Sequence, residues 1–176
     1  MKTKPIIAFT GRKWSGKSTA AGITKRIIGD SAIRLSFADP IRESVSRMYD
    51  EPLESIKEAI RPVLQATGDS LKVLHGEGYL IETLANRWLM ADKRYTTLII
   101  DDVRTKPEVD WVHANNGVVI RMSRPQHEDR ADKHITEALI EHLEADMGIV
   151  NSGSTDHLTN TIFDLISNGS LRDSSC

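Results

Sequence analysis

The sequence predicts an α/β fold in which helices cover both faces of a parallel sheet. Short apolar segments alternate with segments of helical periodicity, the apolar segments are nearly continuous, and hairpin signals are absent. The chain has 176 residues, of which 39% are hydrophobic and 27% charged. These values are typical of a globular protein with a core of its own, so we expect one domain over residues 1–176.

Five apolar segments are expected to form the strands, at residues 5–10, 32–37, 97–102, 117–122 and 147–151. Helices are expected over 19–28 before Gly29, from Asp39-Pro40, over most of 52–93, from about Lys106-Pro107, and over 155–166. Within the long helical stretch we expect interruptions near Gly68 and at 75–78. The Ser- and Gly-rich residues from about 168 to 176 are expected to form a mobile tail.

Composition and charge limit the partners. A formal net charge of -2 argues against a general affinity for nucleic acid. The single cysteine, Cys176, suits a reducing cytoplasm, and the apolar run after Lys4 is too short for a signal peptide or a spanning helix. We therefore expect a cytoplasmic protein with small-molecule partners and no membrane partner. The six histidines lack metal-ligand spacing, so a zinc site is not expected.

Residues 11–18, Gly-Arg-Lys-Trp-Ser-Gly-Lys-Ser, match G-x-x-x-x-G-K-[ST] at every fixed position. The glycines allow successive backbone N–H groups to point at phosphate oxygens, and the helix that follows adds its positive N-terminal end. Lys17 can reach the β- and γ-phosphates, and the Ser18 hydroxyl can ligate Mg²⁺. A chance match in an ordinary turn is the alternative. The apolar strand before the motif and the helix after it favour a site for ATP or a similar nucleotide, with Mg²⁺.

An acidic pair, Asp101 and Asp102, ends the third strand. In open parallel sheets ligands bind at the carboxyl ends of the strands, so one of these carboxylates is expected to hold Mg²⁺ directly or through water, together with Ser18. Adjacent strand residues point to opposite faces, and the sequence does not say which of the two faces the nucleotide. Alternatively, one aspartate caps the helix entered near Lys106-Pro107.

Arginines near the same rim of the sheet suggest a second anion site. Arg42 follows the second strand and Arg104 follows the acidic pair, and a guanidinium grips phosphate by two hydrogen bonds. Arg124 and Arg130 lie in a polar segment at about 124–135 that is expected to form a lid; a solvated charged loop is the alternative. Asp39 is expected either to receive a proton from an acceptor or orient it, or to serve as the N-cap before Pro40.

Several segments in order resemble the phage deoxynucleoside monophosphate kinases, which are related to phosphomevalonate kinase and, more distantly, to dephospho-CoA kinase. These segments are residues 11–18, Ser-Phe-Ala-Asp-Pro-Ile-Arg-Glu at 36–43, Leu-Gln-Ala-Thr-Gly-Asp at 64–69, Asp-Asp-Val-Arg at 101–104, 121–125, and Asn-Ser-Gly-Ser at 151–154. The resemblance covers the chain from Pro5 to about Ile166. It implies a P-loop kinase, a three-layer sandwich with a five-stranded parallel sheet, a helical acceptor-binding region at about 50–95 and an arginine-bearing lid.

The motif and the resemblance together assign expected roles. The donor-nucleotide residues are Gly11, Lys13, Ser15, Gly16, Lys17, Ser18, Thr19, Asn151 and Gly153. The acceptor residues are Asp39, Arg42, Gln65, Asp69, Lys72 and Arg104, and the catalytic residues are Lys17, Arg104, Arg124 and Arg130. Ser18 with Asp101 or Asp102 forms the metal site. The expected reaction is direct transfer of a phosphoryl group from ATP, with Mg²⁺, to a (deoxy)nucleoside monophosphate.

Two departures from the family pattern fall on the acceptor side. Arg104 is followed by Thr-Lys-Pro-Glu, where the family pattern is closer to Arg-Phe-Pro-Asn-Glu, and Lys72 replaces an expected arginine, which implies a looser contact.

The alternatives are a kinase of another phosphorylated small molecule, of the phosphomevalonate or dephospho-CoA type, and a P-loop ATPase or switch. A switch would not need the second anion site. A monomer and a homodimer are both compatible with the sequence, and a phage origin would place the protein in the host cytoplasm.

Overall fold

The structure is a computed structural model that describes residues 5–50, 52–56, 58–125, 140 and 142–168. The predicted lid beyond Pro125, including Arg130, and nearly all of the predicted tail, including Cys176, lie outside these residues. Among the described helices, none combines the length and the apolar character that crossing a bilayer requires.

Five strands form one parallel sheet, as the sequence predicts. They are β1 (Ile6–Thr10), β2 (Ala32–Leu35), β3 (Thr97–Val103), β4 (Gly117–Ser123) and β5 (Met147–Val150), in the order β2-β3-β1-β4-β5. The central strand β1 and its neighbour β3 are buried along their whole length. Their carboxyl ends, where parallel sheets bind ligands, therefore extend from the buried centre of the sheet.

Helices follow the strands. They are α1 (Lys17–Ile28), α2 (Asp39–Ser46), α3 (Leu53–Ile56), α4 (Arg61–His75), α5 (Tyr79–Met90), α6 (Lys106–Ala114) and α7 (Thr155–Ser167). Gly29, with φ 81°, ends α1 as predicted, and its N–H donates to the Lys25 carbonyl. The predicted break at residues 75–78 is confirmed between α4 and α5.

Both faces of the sheet are covered. On one face Ile7, Phe9 and Ile99 belong to a buried apolar cluster with residues of α1 and α7, including Ala20 and Leu158. Successive strand residues point to opposite faces, so Ile6 belongs to the other face. There α6 packs against β4. A Cβ added to Gly117 would lie 2.6 Å from Val112 of α6 and 2.8 Å from Ile6, so only glycine fits this close approach.

The described part of the chain divides into a sheet unit, within residues 1–35 and 91–176, and a helical unit, within Ser36–Met90. In the helical unit, α2 packs on α4, and Arg87 of α5 donates two hydrogen bonds of 2.6 Å to the Glu43 carboxylate of α2. This contact lowers the pKa of Glu43 and raises the pKa of Arg87, because each charge stabilises the other.

Two details of the predicted helices are wrong. Helix α4 continues through Gly68, because this glycine is buried at a helix contact: a Cβ there would lie 3.0 Å from Ile41 Cδ1. Asp39 is the first residue of α2 and Ala38 occupies the N-cap position. The Asp39 carboxylate instead accepts a 2.8 Å hydrogen bond from the Ser36 N–H, which closes the turn before the helix.

Candidate active site

The glycine-rich motif forms a loop between β1 and α1 whose shape depends on left-handed backbone. Gly11 has φ 138° and Gly16 has φ 99°. A Cβ on Gly11 would lie 2.2 Å from the Met122 carbonyl oxygen, so sterics and backbone both require glycine there. Trp14 is not a glycine but has φ 68°, and its side chain is 55% exposed beside the ammonium of Lys13, which lies 5.2 Å from the ring centroid.

Lys17 is folded back onto this loop. Its ammonium donates hydrogen bonds to the carbonyl oxygens of Gly11 at 2.6 Å and Arg12 at 2.7 Å. The Lys17 side chain thus extends from the first turn of α1 across the loop to Gly11, where the loop begins. This position keeps the positive charge within the concave backbone that the sequence assigns to phosphate.

Asn151, the residue directly after β5, contacts the P-loop. Asn151 is buried, and its side-chain amide donates a 3.1 Å hydrogen bond to the carbonyl of Ser15. A Cβ on Gly16 would lie 2.4 Å from Asn151 Nδ2. Ser15 is itself buried, and its hydroxyl lacks a hydrogen-bond partner among the described residues. Gly153, the other residue expected near the donor, lies against His157 at the start of α7.

The carboxylate of Asp101 lies at the centre of the charged part of the site. Its Oδ2 accepts a 2.8 Å hydrogen bond from the Ser18 hydroxyl and a hydrogen bond from the Arg34 guanidinium. The Asp101 side chain is 3% exposed, whereas that of Arg34 is 36% exposed. Asp101 therefore contacts the last residue of the P-loop motif, and the expected roles of Asp101 and Asp102 toward a metal ion stay predictions.

A β-bulge in β3 contains both aspartates of the acidic pair. Ala8 lies opposite Ile100 and Thr10 lies opposite Val103, so β3 has one more residue than β1 between these pairs. The Thr10 hydroxyl donates a 3.0 Å hydrogen bond to the Val103 carbonyl and fixes the irregular register. Both Asp101 and Asp102 are consequently buried at the carboxyl end of the strand.

The turn after β3 is held by a carboxylate that the sequence analysis did not single out. Thr105 is the N-cap of α6 and forms a reciprocal capping box with Glu108. Glu108 Oε2 accepts hydrogen bonds from the N–H groups of Arg104 at 2.6 Å and Thr105 at 3.0 Å. The alternative in which an aspartate caps this helix is therefore wrong. Burial raises the pKa of Glu108 to about 7, and the nearby charge of Asp102 acts in the same direction.

Arg124 follows β4 at the same end of the sheet, since β4 pairs directly with β1. Its Nε is buried and lacks a hydrogen-bond partner among the described residues. Arg121, three residues earlier, donates to the Leu143 carbonyl. Arg130 lies outside the described residues, so its expected role in a lid stays a prediction.

The expected acceptor residues other than Arg104 belong to the helical unit. Gln65, Asp69 and Lys72 have the spacing of one face of α4. Lys72 Nζ lies 3.7 Å from the carboxylate of Glu77, and Arg42 lies 3.2 Å from that of Asp39. Arg104 belongs to the sheet unit.

The residues around Ser18 fit a magnesium ion. The Ser18 hydroxyl and the Asp101 carboxylate are hard oxygen ligands held within hydrogen-bonding distance of each other. Mg²⁺ is typically bound by one or two carboxylates together with substrate phosphates rather than by a cage of protein ligands. In the described part of the chain, no group of three or more His, Cys, Asp or Glu residues could hold a metal by itself.

Comparison with known proteins decides the family. Residues 53–162, more than half of the chain, match the family described as deoxynucleotide monophosphate kinase. The chain belongs to this family. A protein of Acanthamoeba polyphaga mimivirus is 26% identical to this chain, and the match covers 94% of this chain and 97% of the viral protein. The viral protein carries the provisional name deoxynucleotide monophosphate kinase. The predicted resemblance is thereby confirmed, and the chain is a nucleotide kinase.

Solved structures confirm the P-loop kinase fold. Shikimate kinase from Acinetobacter baumannii, in complex with shikimate, is similar with a TM-score of 0.54 and 14% identity, covering 97% of each chain. The Mycobacterium tuberculosis APS kinase CysC, in complex with AMPPNP and APS, has a TM-score of 0.52 and 16% identity, covering 94% of this kinase and 98% of that chain. At these identities the likeness concerns the fold alone.

Sequence reasoning missed Arg34 and Glu108, two charged residues in the described part of the site. Arg34 lies inside an apolar strand segment, and its proximity to Asp101 depends on the register between β2 and β3. Glu108 could have been found, because Thr-x-x-Glu at 105–108 is a capping-box signature just before an apolar helix.

Proposed function

We propose that this kinase transfers the γ-phosphoryl group of ATP, with Mg²⁺, to deoxynucleoside monophosphates and gives the diphosphates. The observation that carries the proposal is the arrangement of Lys17, Ser18 and Asp101 around a P-loop in a chain of the deoxynucleotide monophosphate kinase family. These groups suit a donor triphosphate with its metal ion.

On the donor side, the backbone of the P-loop binds the β- and γ-phosphates in this proposal. Lys17 exchanges its bonds to the Gly11 and Arg12 carbonyls for phosphate oxygens, which costs little because the ammonium already lies at the loop. Ser18 and Asp101 would hold Mg²⁺, which supplies neutralisation of phosphate charge. Asn151 keeps the loop in shape through Ser15, and Lys13, Thr19 and Gly153 complete the proposed donor site.

On the acceptor side, Arg42 and Arg104 bind the monophosphate, and Gln65 with Asp69 and Lys72 approaches the nucleoside. Support comes from the chemistry of these groups: guanidinium forks suit phosphate, and the amide and charged side chains of one α4 face suit a polar base. Asp39 is proposed to orient the acceptor through Arg42, whose Nη1 lies 3.2 Å from the Asp39 carboxylate.

The transfer itself is proposed to be direct and in line, without a covalent enzyme intermediate. The cationic groups Lys17, Arg104, Arg124 and Arg130 stabilise charge on the transferring group, and positioning supplies the remaining acceleration. Arg124 is suited to this role because its buried Nε lacks a partner among the described residues.

A panel of the four common deoxynucleoside monophosphates and their ribonucleotide counterparts, with ATP and Mg²⁺, tests the proposal. ADP formation should rise well above the control without an acceptor for at least one deoxynucleotide, and should disappear in EDTA. If every acceptor gives only the control rate, the proposed function is wrong. The same panel with GTP in place of ATP tests whether the kinase prefers ATP as the donor.

A further inference from the structure

Arg34 reaches the acidic end of β3 because of the strand register. It lies opposite Ile99, two residues before Asp101, and its guanidinium donates a hydrogen bond to the Asp101 carboxylate. Helix α1, which carries Ser18, packs against both β2 and β3. Three elements of the sheet unit therefore bring a cation, a hydroxyl and a carboxylate together.

Two hydrogen bonds meet at one oxygen of Asp101. Oδ2 accepts from the Ser18 hydroxyl at 2.8 Å and also from Arg34 Nη2. A carboxylate that is only 3% exposed is costly to keep ionised without a positive partner. Arg34 supplies that partner, and its side chain remains 36% exposed, so it can leave Asp101 without crossing the core.

We propose that Arg34 is a positioning residue that acts as the counter-ion of Asp101 in the metal-free protein and competes with Mg²⁺ for the same carboxylate oxygen. The inference rests on the proposed function, in which Ser18 and Asp101 hold the metal directly or through its water. A guanidinium and Mg²⁺ at the same oxygen repel each other, so binding of the metal at Asp101 Oδ2 favours departure of the guanidinium.

The proposal predicts that replacing Arg34 changes the affinity for the metal. This affinity would not change if the ion pair only stabilised the fold. Arg34→Gln removes the competing charge and should tighten binding of Mn²⁺, used as a spectroscopic substitute for Mg²⁺, by roughly ten-fold, the factor expected for losing one charged hydrogen bond. Arg34→Lys keeps the charge without the planar fork and should fall between Arg34→Gln and the wild type. Arg26→Gln is the matched control, because Arg26 is an exposed arginine of the same unit near the end of α1.

The experiment measures free Mn²⁺ by electron paramagnetic resonance in titrations of the full chain, with circular dichroism to verify folding. Increasing affinity in the order wild type, Arg34→Lys, Arg34→Gln, with Arg26→Gln at the wild-type value, supports the proposal. Unchanged or weaker Mn²⁺ binding in both Arg34 variants overturns it. If Arg34→Gln does not fold, Arg34→Lys alone decides, since an affinity equal to that of the wild type also overturns the proposal.

The failure of the proposed function gives a different result. If neither the wild type nor any variant binds Mn²⁺ saturably, and ADP formation is the same in EDTA, the metal part of the proposed function is wrong and the inference is wrong with it. Saturable binding in the wild type that is insensitive to position 34 leaves the proposed function intact and overturns only the role of Arg34.

Discussion

Replacing Glu108 by glutamine should change how the stability of the protein depends on pH. Burial raises the pKa of this carboxyl from 4.5 to about 7. The folded protein therefore holds a proton that the unfolded chain releases between these pH values. Stability from this group is fully present below about pH 4.5 and is lost as the pH rises through about 7.

The magnitude follows from the shift in pKa. A rise of between two and three pKa units corresponds to about 3 kcal/mol, since one unit is about 1.4 kcal/mol. Glutamine is neutral at every pH, and its carbonyl oxygen can still accept from the N–H groups of Arg104 and Thr105, as a capping box allows. Between about pH 5 and pH 8, the free energy of unfolding of the wild type should therefore fall relative to that of the variant by about 2–3 kcal/mol.

Urea unfolding at several pH values measures this difference, with Glu144→Gln, at an exposed glutamate, as the control for loss of a charge. If the wild type and Glu108→Gln differ by the same amount at both ends of the pH range, the raised pKa is wrong. An equal trend in the Glu144→Gln control would assign the effect to net charge instead of to the buried carboxyl.

Three further substitutions separate the parts of the molecule. Lys17→Ala should abolish phosphoryl transfer, whereas Arg104→Ala should mainly raise the KM for the acceptor; equal loss of ATP affinity, measured by calorimetry, would contradict this division. Gly16→Ala should weaken nucleotide binding at least ten-fold in the same assay, because its Cβ would lie 2.4 Å from Asn151 Nδ2 and its φ is 99°; wild-type affinity would contradict the need for glycine. Gly22→Ala should raise the free energy of unfolding by about 0.5–1 kcal/mol, because a Cβ meets nothing within 4 Å in the middle of α1; a lower unfolding temperature would contradict it.

The sequence predicted the parallel sheet and the P-loop because each depends on local signals. A buried strand is an apolar run, and the loop is a fixed pattern of glycines, lysine and serine. Gly68 shows where local signals fail: a glycine within a helix predicts a break, but helix α4 continues through it and packs closely on Ile41 of α2. The propensity cost of about 1 kcal/mol is small beside such a tertiary contact.

The choice between Asp101 and Asp102 could not be made from the sequence for a related reason. Alternation along β3 predicts opposite faces, but a bulge between Ile100 and Val103 interrupts the alternation, and a bulge depends on the pairing with β1. The Arg34 contact depends likewise on register with β2. Contacts between charged residues on neighbouring strands depend on the register of the sheet. This register cannot be read from a single sequence.

Trp14 gives the loop an optical property. Its indole is 55% exposed on the P-loop itself, whereas Trp88 and Trp111 lie on helices α5 and α6. Fluorescence from Trp14 can therefore report ligands at the loop without a label, and replacing Trp88 and Trp111 by phenylalanine would isolate its emission. The same residue makes the loop costly to form, because a left-handed backbone at a non-glycine position costs about 1–2 kcal/mol. A Trp14→Gly loop would thus be optically silent but easier to form.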